Sequence, residues 1–227
     1  MKQEVIAVAI DGPAGAGKST IARAAAAQLG FVYVDTGALY RTIGLAVCRR
    51  GIDGTDTAGI VHTLPEIRVD LTYCDGAQHV LLDGEDVSDA IRTPEISVYA
   101  SQVSVVPEVR AYLLDLQRDM ARTQSVIMDG RDIGTVILPD ARVKIFLTAS
   151  PEKRAVRRCA ELREKGQQVT LDEVLADMTR RDSQDEGRAV APLKQAADAV
   201  RVDTSDLTLD ESIEAVLRVI RASMKGE

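Results

Sequence analysis

The sequence predicts an α/β fold in which a five-stranded, mainly parallel sheet is flanked by helices. Short apolar runs of strand length alternate with helix-length segments along most of the 227 residues, and this alternation is typical of a doubly wound sheet. Hydrophobic residues make up 45% of the chain. Such a chain can bury one domain with small appendages.

Each predicted strand is a nearly continuous apolar run, as expected for strands that a parallel sheet buries on both faces. The runs lie at residues 5–10, 31–35, 125–129, 143–147 and 199–203. The predicted helices lie at residues 18–29, 38–50, 107–122, 151–165, 171–181 and 209–224. The last two begin after Thr170 and Thr208, each of which is followed three residues later by Glu, a pattern typical of a helix amino terminus.

Two stretches interrupt the alternation. Residues 66–87 contain the turn dipeptides Asp75-Gly76 and Asp83-Gly84 between β-like runs, which predicts a small antiparallel meander. Residues 180–193 are polar, charged and poor in core residues, so we expect a mobile loop there.

Composition argues against several classes of partner. The formal net charge is −7, whereas nucleic-acid binders normally present a basic face, so we expect no nucleic-acid partner. We also expect no membrane span and no secretory signal, because the apolar runs are short. Three scattered cysteines lack metal or redox spacing, which favours reduced thiols in the cytoplasm.

A phosphate-binding loop follows the first predicted strand. It fits the pattern GxxxxGK[S/T] between a strand and a helix, the context that the motif requires, and this predicts a P-loop NTPase fold. Backbone N–H groups of such a loop converge on phosphate oxygens, Lys18 reaches the β and γ phosphates, and the Ser19 hydroxyl holds Mg²⁺. The expected phosphate-binding residues are Gly12, Pro13, Ala14, Gly15, Ala16, Gly17, Lys18, Ser19 and Thr20.

The metal also needs a carboxylate at the end of a nearby strand. Asp129 and Asp35 both end a predicted strand, where side chains face the ligand crevice of a parallel sheet. Asp129 is the stronger metal candidate, directly or through a water, because its strand is fully apolar and Gly130 follows. Asp35 is the weaker one. The alternative for both is capping of the next helix.

The remaining residues separate three classes of phosphate-binding protein. A regulatory GTPase is excluded, because guanine is read by an Asn-Lys-x-Asp segment and the chain has no Asn. A nucleic-acid motor normally needs a longer chain and a basic track. A kinase fits better, because a set of arginines is expected to border the crevice. These are Arg41, Arg110, Arg131, Arg181 and Arg188.

The arginines have a chemical reason if the acceptor is itself a phosphate. Two anions then approach each other, and arginine offsets their repulsion with charge and planar geometry together. The acceptor oxygen is already ionised near neutral pH, because the second phosphate pKa is about 6, so no general base is needed. The two histidines, His62 and His79, lie away from the predicted strand ends, which agrees with that chemistry.

Four segments together resemble the bacterial-type cytidylate kinases. They are DGPAGAGKST (11–20), DTGALYR (35–41), MDGRDIGTVILPDA (128–141) and RRDSQDEGR (180–188). Many NTPases share the first, whereas the other three are specific in this order and spacing. The resemblance covers about residues 5–217. One departure is Thr36, where many relatives have Ser, another short hydroxyl.

The resemblance implies a single kinase domain, residues 1–227, with a CMP-binding insert at about 63–103 and a lid at about 154–188. It implies that the γ-phosphoryl group of ATP, bound with Mg²⁺ at the phosphate loop, is transferred to CMP or dCMP. We expect a cytoplasmic monomer of pyrimidine metabolism whose partners are these small molecules. The alternatives are a kinase for another nucleotide such as UMP and a regulatory module without catalysis.

The resemblance also implies roles for individual residues. The expected catalytic residues are Lys18, Asp129, Arg131 and Arg188. The expected clamp on the CMP phosphate is Arg41, Arg131 and Arg188, the cytosine-reading group is Ser101, Arg110 and Asp132, and the pentose contacts are Arg181 and Asp185. Arg154, Arg157 and Arg158 are weaker candidates for the ATP side, with solvated helix arginines as the alternative.

Cytosine chemistry supports two of these roles. Arg110 can donate to the O2 and N3 acceptors of cytosine, and Asp132 can accept from its 4-amino group. Uracil would place a carbonyl against the Asp132 carboxylate, and sites built around one hydrogen bond reject the analogue that lacks it. From the residues alone, the favoured interpretation of Arg110 is a solvated helix residue. The alternative for Asp132 is a helix cap or a surface ion pair.

Overall fold

A computed structural model describes residues 5–74, 77–164 and 166–225 of the chain. The chain divides into two compact units. The first consists of Met1–Tyr33 and Gln124–Glu227, and the second of Val34–Thr123. Among the described residues, no helix is both long and apolar enough to cross a membrane.

The strands in the described residues are β1 (Ala7–Asp11), β2 (Val32–Asp35), β3 (Val69–Cys74), β4 (Ala77–Leu82), β5 (Glu85–Asp86), β6 (Val126–Gly130), β7 (Val143–Thr148) and β8 (Val200–Asp203). The α-helices are α1 (Lys18–Leu29), α2 (Thr36–Arg49), α3 (Thr57–Thr63), α4 (Pro94–Val103), α5 (Pro107–Thr123), α6 (Pro151–Glu164), α7 (Leu171–Glu186) and α8 (Leu209–Lys225). The five strands predicted for the main sheet are present, with bounds that differ by one or two residues.

The main sheet has five strands in the order β2-β6-β1-β7-β8, and all of it except Val34 and Asp35 of β2 belongs to the first unit. β1 pairs in parallel with β6 and β7, and β7 pairs in parallel with β8. The predicted fold class is therefore confirmed. The later strands lie on both sides of β1, so the carboxyl end of β1, at Asp11, lies where a doubly wound sheet opens to ligands.

The core of the first unit lies between the sheet and helices α1 and α8. Ile10 and Ile145 on the central strands are almost completely buried, and they pack in one cluster with Ala22 of α1 and with Leu217 and Ile220 of α8. The small alanines of α1 let that helix lie close to the sheet, because a core packs to the density of a crystal.

Helix α7 corrects one prediction. We expected a helix that ends near Arg181, followed by a mobile loop over 180–193, whereas α7 continues to Glu186. The amino-terminal capping box is as predicted: the Thr170 side chain accepts from the Glu173 backbone, and the Glu173 carboxylate accepts from the Thr170 N–H at 2.8 Å.

The last turns of α7 were missed because their buried side is charged. Val174 and Met178 pack against Ala155 and Cys159 of α6, in the apolar spacing that identifies a helix. Further along, the buried residue of α7 is Asp185. Hydrophobic periodicity carries no signal where the inward side chain is a carboxylate.

The second unit has its own core and a small antiparallel sheet in the order β3-β4-β5. The predicted meander is present, and Asp83-Gly84 connects β4 to β5. The other predicted turn, Asp75-Gly76, lies outside the described residues. Helices α3 and α4 were not predicted. The Thr93 side chain caps α4 by accepting from the Ile96 N–H at 3.2 Å.

The core predicts a difference between two leucines of α8. Leu217 is 0% exposed and Leu209 is 52% exposed. We expect Leu217→Ala to lower the free energy of unfolding by about 2–5 kcal/mol, because it removes apolar contacts and leaves a cavity. We expect Leu209→Ala to cost about 0.5 kcal/mol or less. Urea denaturation of both variants measures this, and equal losses would contradict the packing described.

Candidate active site

The phosphate loop connects β1 to α1. Its first residue, Gly12, has φ of 153°. A Cβ atom there would lie 2.0 Å from the backbone oxygen of Leu147 in β7. Glycine is therefore required, because the loop leaves β1 in direct contact with the backbone of the neighbouring strand.

Lys18 is the first residue of α1 and is only 6% exposed. Its Nζ donates to the carbonyl oxygens of Gly12 and Pro13, both at 2.8 Å. Burial and the nearby Arg131 lower the pKa of Lys18 to about 7, against the opposing effect of Asp129 and other carboxylates. The ammonium group is thus held inside its own loop, where phosphate oxygens would restore its charge.

Ser19 and Asp129 lie together, as expected for a metal pair. The Ser19 hydroxyl donates to Oδ2 of Asp129 at 2.9 Å, and the Tyr33 hydroxyl donates to Oδ1 at 2.9 Å. Asp129 is buried at the end of β6. A hydroxyl and a carboxylate are the hard oxygen ligands that Mg²⁺ prefers, so these residues fit that metal.

Asp35, the weaker metal candidate, has the contacts of a structural residue in the second unit. Its Oδ1 accepts from the Ala38 N–H at 3.0 Å, which caps α2, and its Oδ2 accepts from Arg92 at 2.9 Å. These contacts favour the capping interpretation that the sequence left open.

Two of the predicted phosphate-binding arginines meet on one carboxylate. Arg131 Nε donates to Oδ2 of Asp185 at 2.7 Å, and Arg188 Nη2 donates to Oδ1. Burial tends to raise the pKa of Asp185, but Arg131, Arg188 and then Arg181 hold it below its usual value. Asp185 thus keeps two guanidinium groups oriented beside the phosphate loop, whose Lys18 interacts electrostatically with both Arg131 and Asp185.

Asp132 lies in the same unit, directly after Arg131. It is buried and precedes a π-helical turn, Ile133–Ile137, and its side chain makes no capping hydrogen bond to that turn. Because Asp132 is buried, it does not form a surface ion pair. Because its side chain does not cap the turn, the helix-cap alternative is excluded as well. A role in reading the acceptor stays a prediction.

Two of the predicted base-reading residues, Arg110 and Ser101, lie in the second unit. Arg110 of α5 is 7% exposed, which excludes the solvated alternative, and its guanidinium lies 5.6 Å from the centre of the Tyr40 ring. Arg110 Nη1 donates to the Ser104 carbonyl at 3.3 Å, and the Ser104 hydroxyl donates to the Ser101 carbonyl at 2.9 Å. Ser101 and Arg110 thus belong to one connected group.

Arg41 lies on α2 of the second unit, one residue after Tyr40. Its guanidinium folds back over the first turn of that helix, since a Cβ built on Gly37 would lie 3.3 Å from Arg41 Nη1.

The three arginines of α6 differ from one another. Arg154 is buried and binds the phosphate loop, with Nη1 donating to the Ala14 carbonyl at 2.7 Å. Arg157 Nη1 donates to Oγ1 of Thr204 at 3.0 Å. Arg158 forms an exposed ion pair with Glu161. The solvated alternative thus fits Arg158 but not Arg154.

A cavity of about 370 Å³ lies beside Pro13 of the phosphate loop. Its lining is mostly polar and includes Thr148, Arg154, Arg201 and Asp203. Its volume falls within the range of ordinary ligand pockets.

Comparison with known proteins identifies the family. The family model described as cytidylate kinase matches residues 8–222. A cytidylate kinase from Caldanaerobacter subterraneus subsp. tengcongensis is 51% identical, over 98% of this chain and 97% of its own. One from Caldicellulosiruptor bescii is 47% identical, over 98% of each. The chain belongs to the cytidylate kinase family.

A solved structure resembles this cytidylate kinase family member in fold. The crystal structure of an uncharacterized protein from Eubacterium ventriosum has a TM-score of 0.54 and 13% identity, and the match covers 96% of this chain and 99% of that one. At that identity the likeness concerns the fold alone. The family resemblance seen in the sequence is confirmed.

Sequence reasoning missed three residues that organise the site of this family member. Tyr33 orients Asp129, Asp182 of α7 contacts the phosphate loop, and Asp11 ends β1. Asp11 accepts from the backbone N–H groups of Ile133 and Gly134, at 2.7 and 2.8 Å. It therefore holds the turn that follows Arg131 and Asp132. Only its position at a strand end, directly before the loop glycine, could have signalled it.

The burial of Asp11 predicts an unusual titration. Burial raises its pKa from 3.8 to about 6, against the lowering effect of the two N–H groups. Because its pKa is higher in the folded chain than in the unfolded chain, Asp11 contributes to the free energy of unfolding below about pH 4. That contribution is lost as the pH rises through 6. The contribution is about 3 kcal/mol.

We expect the Asp11 carboxyl group to titrate with a midpoint near pH 6. The ¹³C chemical shift of aspartate-labelled protein measures it, with Asp11→Asn to assign the signal. Between pH 4 and 6, the unfolding free energy of the native chain should fall relative to that of Asp11→Asn. A midpoint at or below pH 4 would show that the two N–H groups outweigh burial.

Proposed function

We propose that this chain transfers the γ-phosphoryl group of ATP to CMP or dCMP, giving ADP and CDP or dCDP. One observation carries the proposal: in a member of the cytidylate kinase family, the buried lysine of a phosphate loop lies beside two arginines held on Asp185. That arrangement provides for a phosphoryl donor and an anionic acceptor. It argues against a module that has lost transfer.

The donor binds at the phosphate loop. Residues Gly12 to Thr20 surround the triphosphate with N–H groups and the amino-terminal end of α1. The Lys18 ammonium exchanges the Gly12 and Pro13 carbonyls for β- and γ-phosphate oxygens. Burial makes that charge more effective, since an electrostatic interaction strengthens as water is excluded. The cavity beside Pro13 is the candidate site for the nucleoside end of ATP.

Ser19 and Asp129 are the residues that would hold Mg²⁺, the aspartate directly or through a water. An ion held there with ATP would supply positive charge that offsets the charge of the phosphates. The contribution of this chain is to fix both ligands, because Tyr33 holds one oxygen of Asp129 and Ser19 holds the other.

The acceptor phosphate binds Arg131 and Arg188, which Asp185 already orients. Fixed guanidinium groups cost no reorganisation during transfer and offset the repulsion between two phosphates. The ionised acceptor oxygen attacks the γ-phosphorus while the bond to the leaving ADP oxygen breaks, and no proton has to be removed. Arg41 is assigned to the same phosphate, and Arg181 with Asp185 to the pentose, on the family motifs.

Base selection is assigned to Asp132, Arg110 and Ser101, again on the family motifs. The burial of Asp132 and Arg110 supports this, because a buried hydrogen-bonding group left without its partner carries a large penalty. Cytosine satisfies a carboxylate with its 4-amino group, and uracil cannot.

The wider setting is part of the same proposal. Residues 154–188, which include most of α6 and all of α7, act as a lid that excludes water from the transfer. Residues 63–103, which include the small antiparallel sheet, act as the CMP-binding insert within one kinase domain, residues 1–227. The enzyme works as a cytoplasmic monomer in pyrimidine metabolism, with ATP and CMP or dCMP as its small-molecule partners and Mg²⁺ bound with ATP.

The acceptor is tested by ADP release from ATP in the presence of CMP, dCMP, UMP or AMP. We expect CMP and dCMP to have the highest kcat/KM, by at least about 100-fold over UMP, because uracil lacks the donor that Asp132 requires. Equal use of UMP would remove the cytosine assignment. No transfer to any monophosphate would favour the regulatory module.

Asp132→Asn tests base reading directly. The amide can donate to the uracil carbonyl, so we expect kcat/KM for CMP to fall by about 10- to 100-fold and the ratio of UMP to CMP use to rise. The KM for ATP should change far less. Asp140→Asn, an exposed position in the same segment, is the control. Equal losses for CMP and ATP would exclude Asp132 from base reading.

A further inference from the structure

The tip of the phosphate loop is bound by two side chains from outside the motif. The Ala14 N–H donates to Oδ1 of Asp182 at 3.0 Å, and the Ala14 carbonyl accepts from Nη1 of Arg154 at 2.7 Å. Arg154 Nη1 also donates to Oδ2 of Asp182 at 2.6 Å. Both polar groups of one loop residue are therefore held by a single ion pair.

The ion pair is shielded from solvent. The side chains of Arg154 and Asp182 are 6% and 13% exposed. Arg154 is fixed independently of Asp182, because its Nε donates to the Ala149 carbonyl at 3.0 Å, just beyond the end of β7. Charge-assisted hydrogen bonds in such a setting are stronger and more directional than exposed ones.

Apolar packing also joins α7 to the phosphate loop. Gly15 has φ of 69°, and a Cβ there would lie 2.6 Å from Cε of Met178. Met178 and Asp182 are four residues apart on α7 and hence on one face of it. An apolar contact and an ionic contact thus join the same helix face to consecutive loop residues.

We propose that Asp182 and Arg154 are positioning residues that hold the phosphate loop in its ATP-binding form only when α7 is docked on it. The inference rests on the proposed function, since it concerns the donor site of that reaction. Asp185 lies three residues beyond Asp182 on α7 and orients Arg131 and Arg188. Docking of one helix therefore shapes the donor loop and orients the acceptor arginines together.

A different role for the same contact makes the opposite prediction. A carboxylate bound to a loop N–H could act as a stand-in for phosphate that ATP must displace. Removing it would then tighten ATP binding. A positioning role requires weaker binding, so the sign of the change decides between them.

The test compares Asp182→Ala with Asp177→Ala, an exposed aspartate on the same helix. We expect Asp182→Ala to raise the KM for ATP by about tenfold or more and to change the KM for CMP less than about twofold. Asp182→Asn keeps an acceptor for the Ala14 N–H, so its effect should be smaller. Asp177→Ala should match the native chain in both constants.

Two measurements without an acceptor separate this inference from the proposed function. Calorimetry gives the Kd for ATP, which should rise as the KM does. Amide hydrogen exchange should show faster exchange at Ala14 in Asp182→Ala and native protection in Asp177→Ala. Both measurements still test the positioning role if the native chain does not phosphorylate CMP. That result would contradict the proposed function and not this inference.

An unchanged or lower Kd for ATP in a folded Asp182→Ala variant would overturn the positioning role, as would native exchange at Ala14. Equal rises in both KM values would do so too, because they would indicate a general structural loss. If Asp182→Ala fails to fold, Asp182→Asn decides by the same measurements.

Discussion

The placement of one cation at the end of the central strand organises the first unit. Lys18 is buried, and its ammonium group is satisfied by the carbonyls of Gly12 and Pro13. An isolated charge there would be very costly, so carboxylates must lie nearby to offset it. Asp11, Asp129 and Asp185 serve that purpose. The charge of Lys18 is therefore balanced by neighbouring carboxylates in the free chain.

These carboxylates also connect the structural elements of the first unit to one another. Asp11 joins the end of β1 to the turn after β6, Asp129 joins that strand to Ser19 and Tyr33, and Asp185 joins α7 to Arg131. Each accepts from two donors, so its position is defined by direction as well as by packing. The residues that balance the lysine thus also set the geometry of the groups around it.

The two halves of helix α7 are held by different interactions. Its amino-terminal half is held by apolar packing on α6 through Val174 and Met178. Its carboxyl-terminal half is held by ion pairs of Asp182 and Asp185. Charge-assisted hydrogen bonds are directional, so the carboxyl-terminal half is positioned by charge and the amino-terminal half by apolar packing. The half of the helix nearest the phosphate loop is thus the half whose position depends on Arg154 and Arg131.

The sequence by itself determined the features that depend on neighbours in the chain. Apolar runs predicted the five strands, the spacing of Thr170 and Glu173 predicted a capping box, and the glycine-rich motif predicted the loop between β1 and α1. Four local segments were enough to identify the family, which the comparisons confirmed.

Only the tertiary structure decided the features whose partners are remote. Asp11 bonds a backbone group 122 residues away, and Asp182 one that is 168 residues away. The end of α7 follows the same rule, since its inward residue is a carboxylate whose partner Arg131 lies on another segment. Backbone N–H groups and arginines leave no periodic pattern, so the sequence alone could not place these bonds.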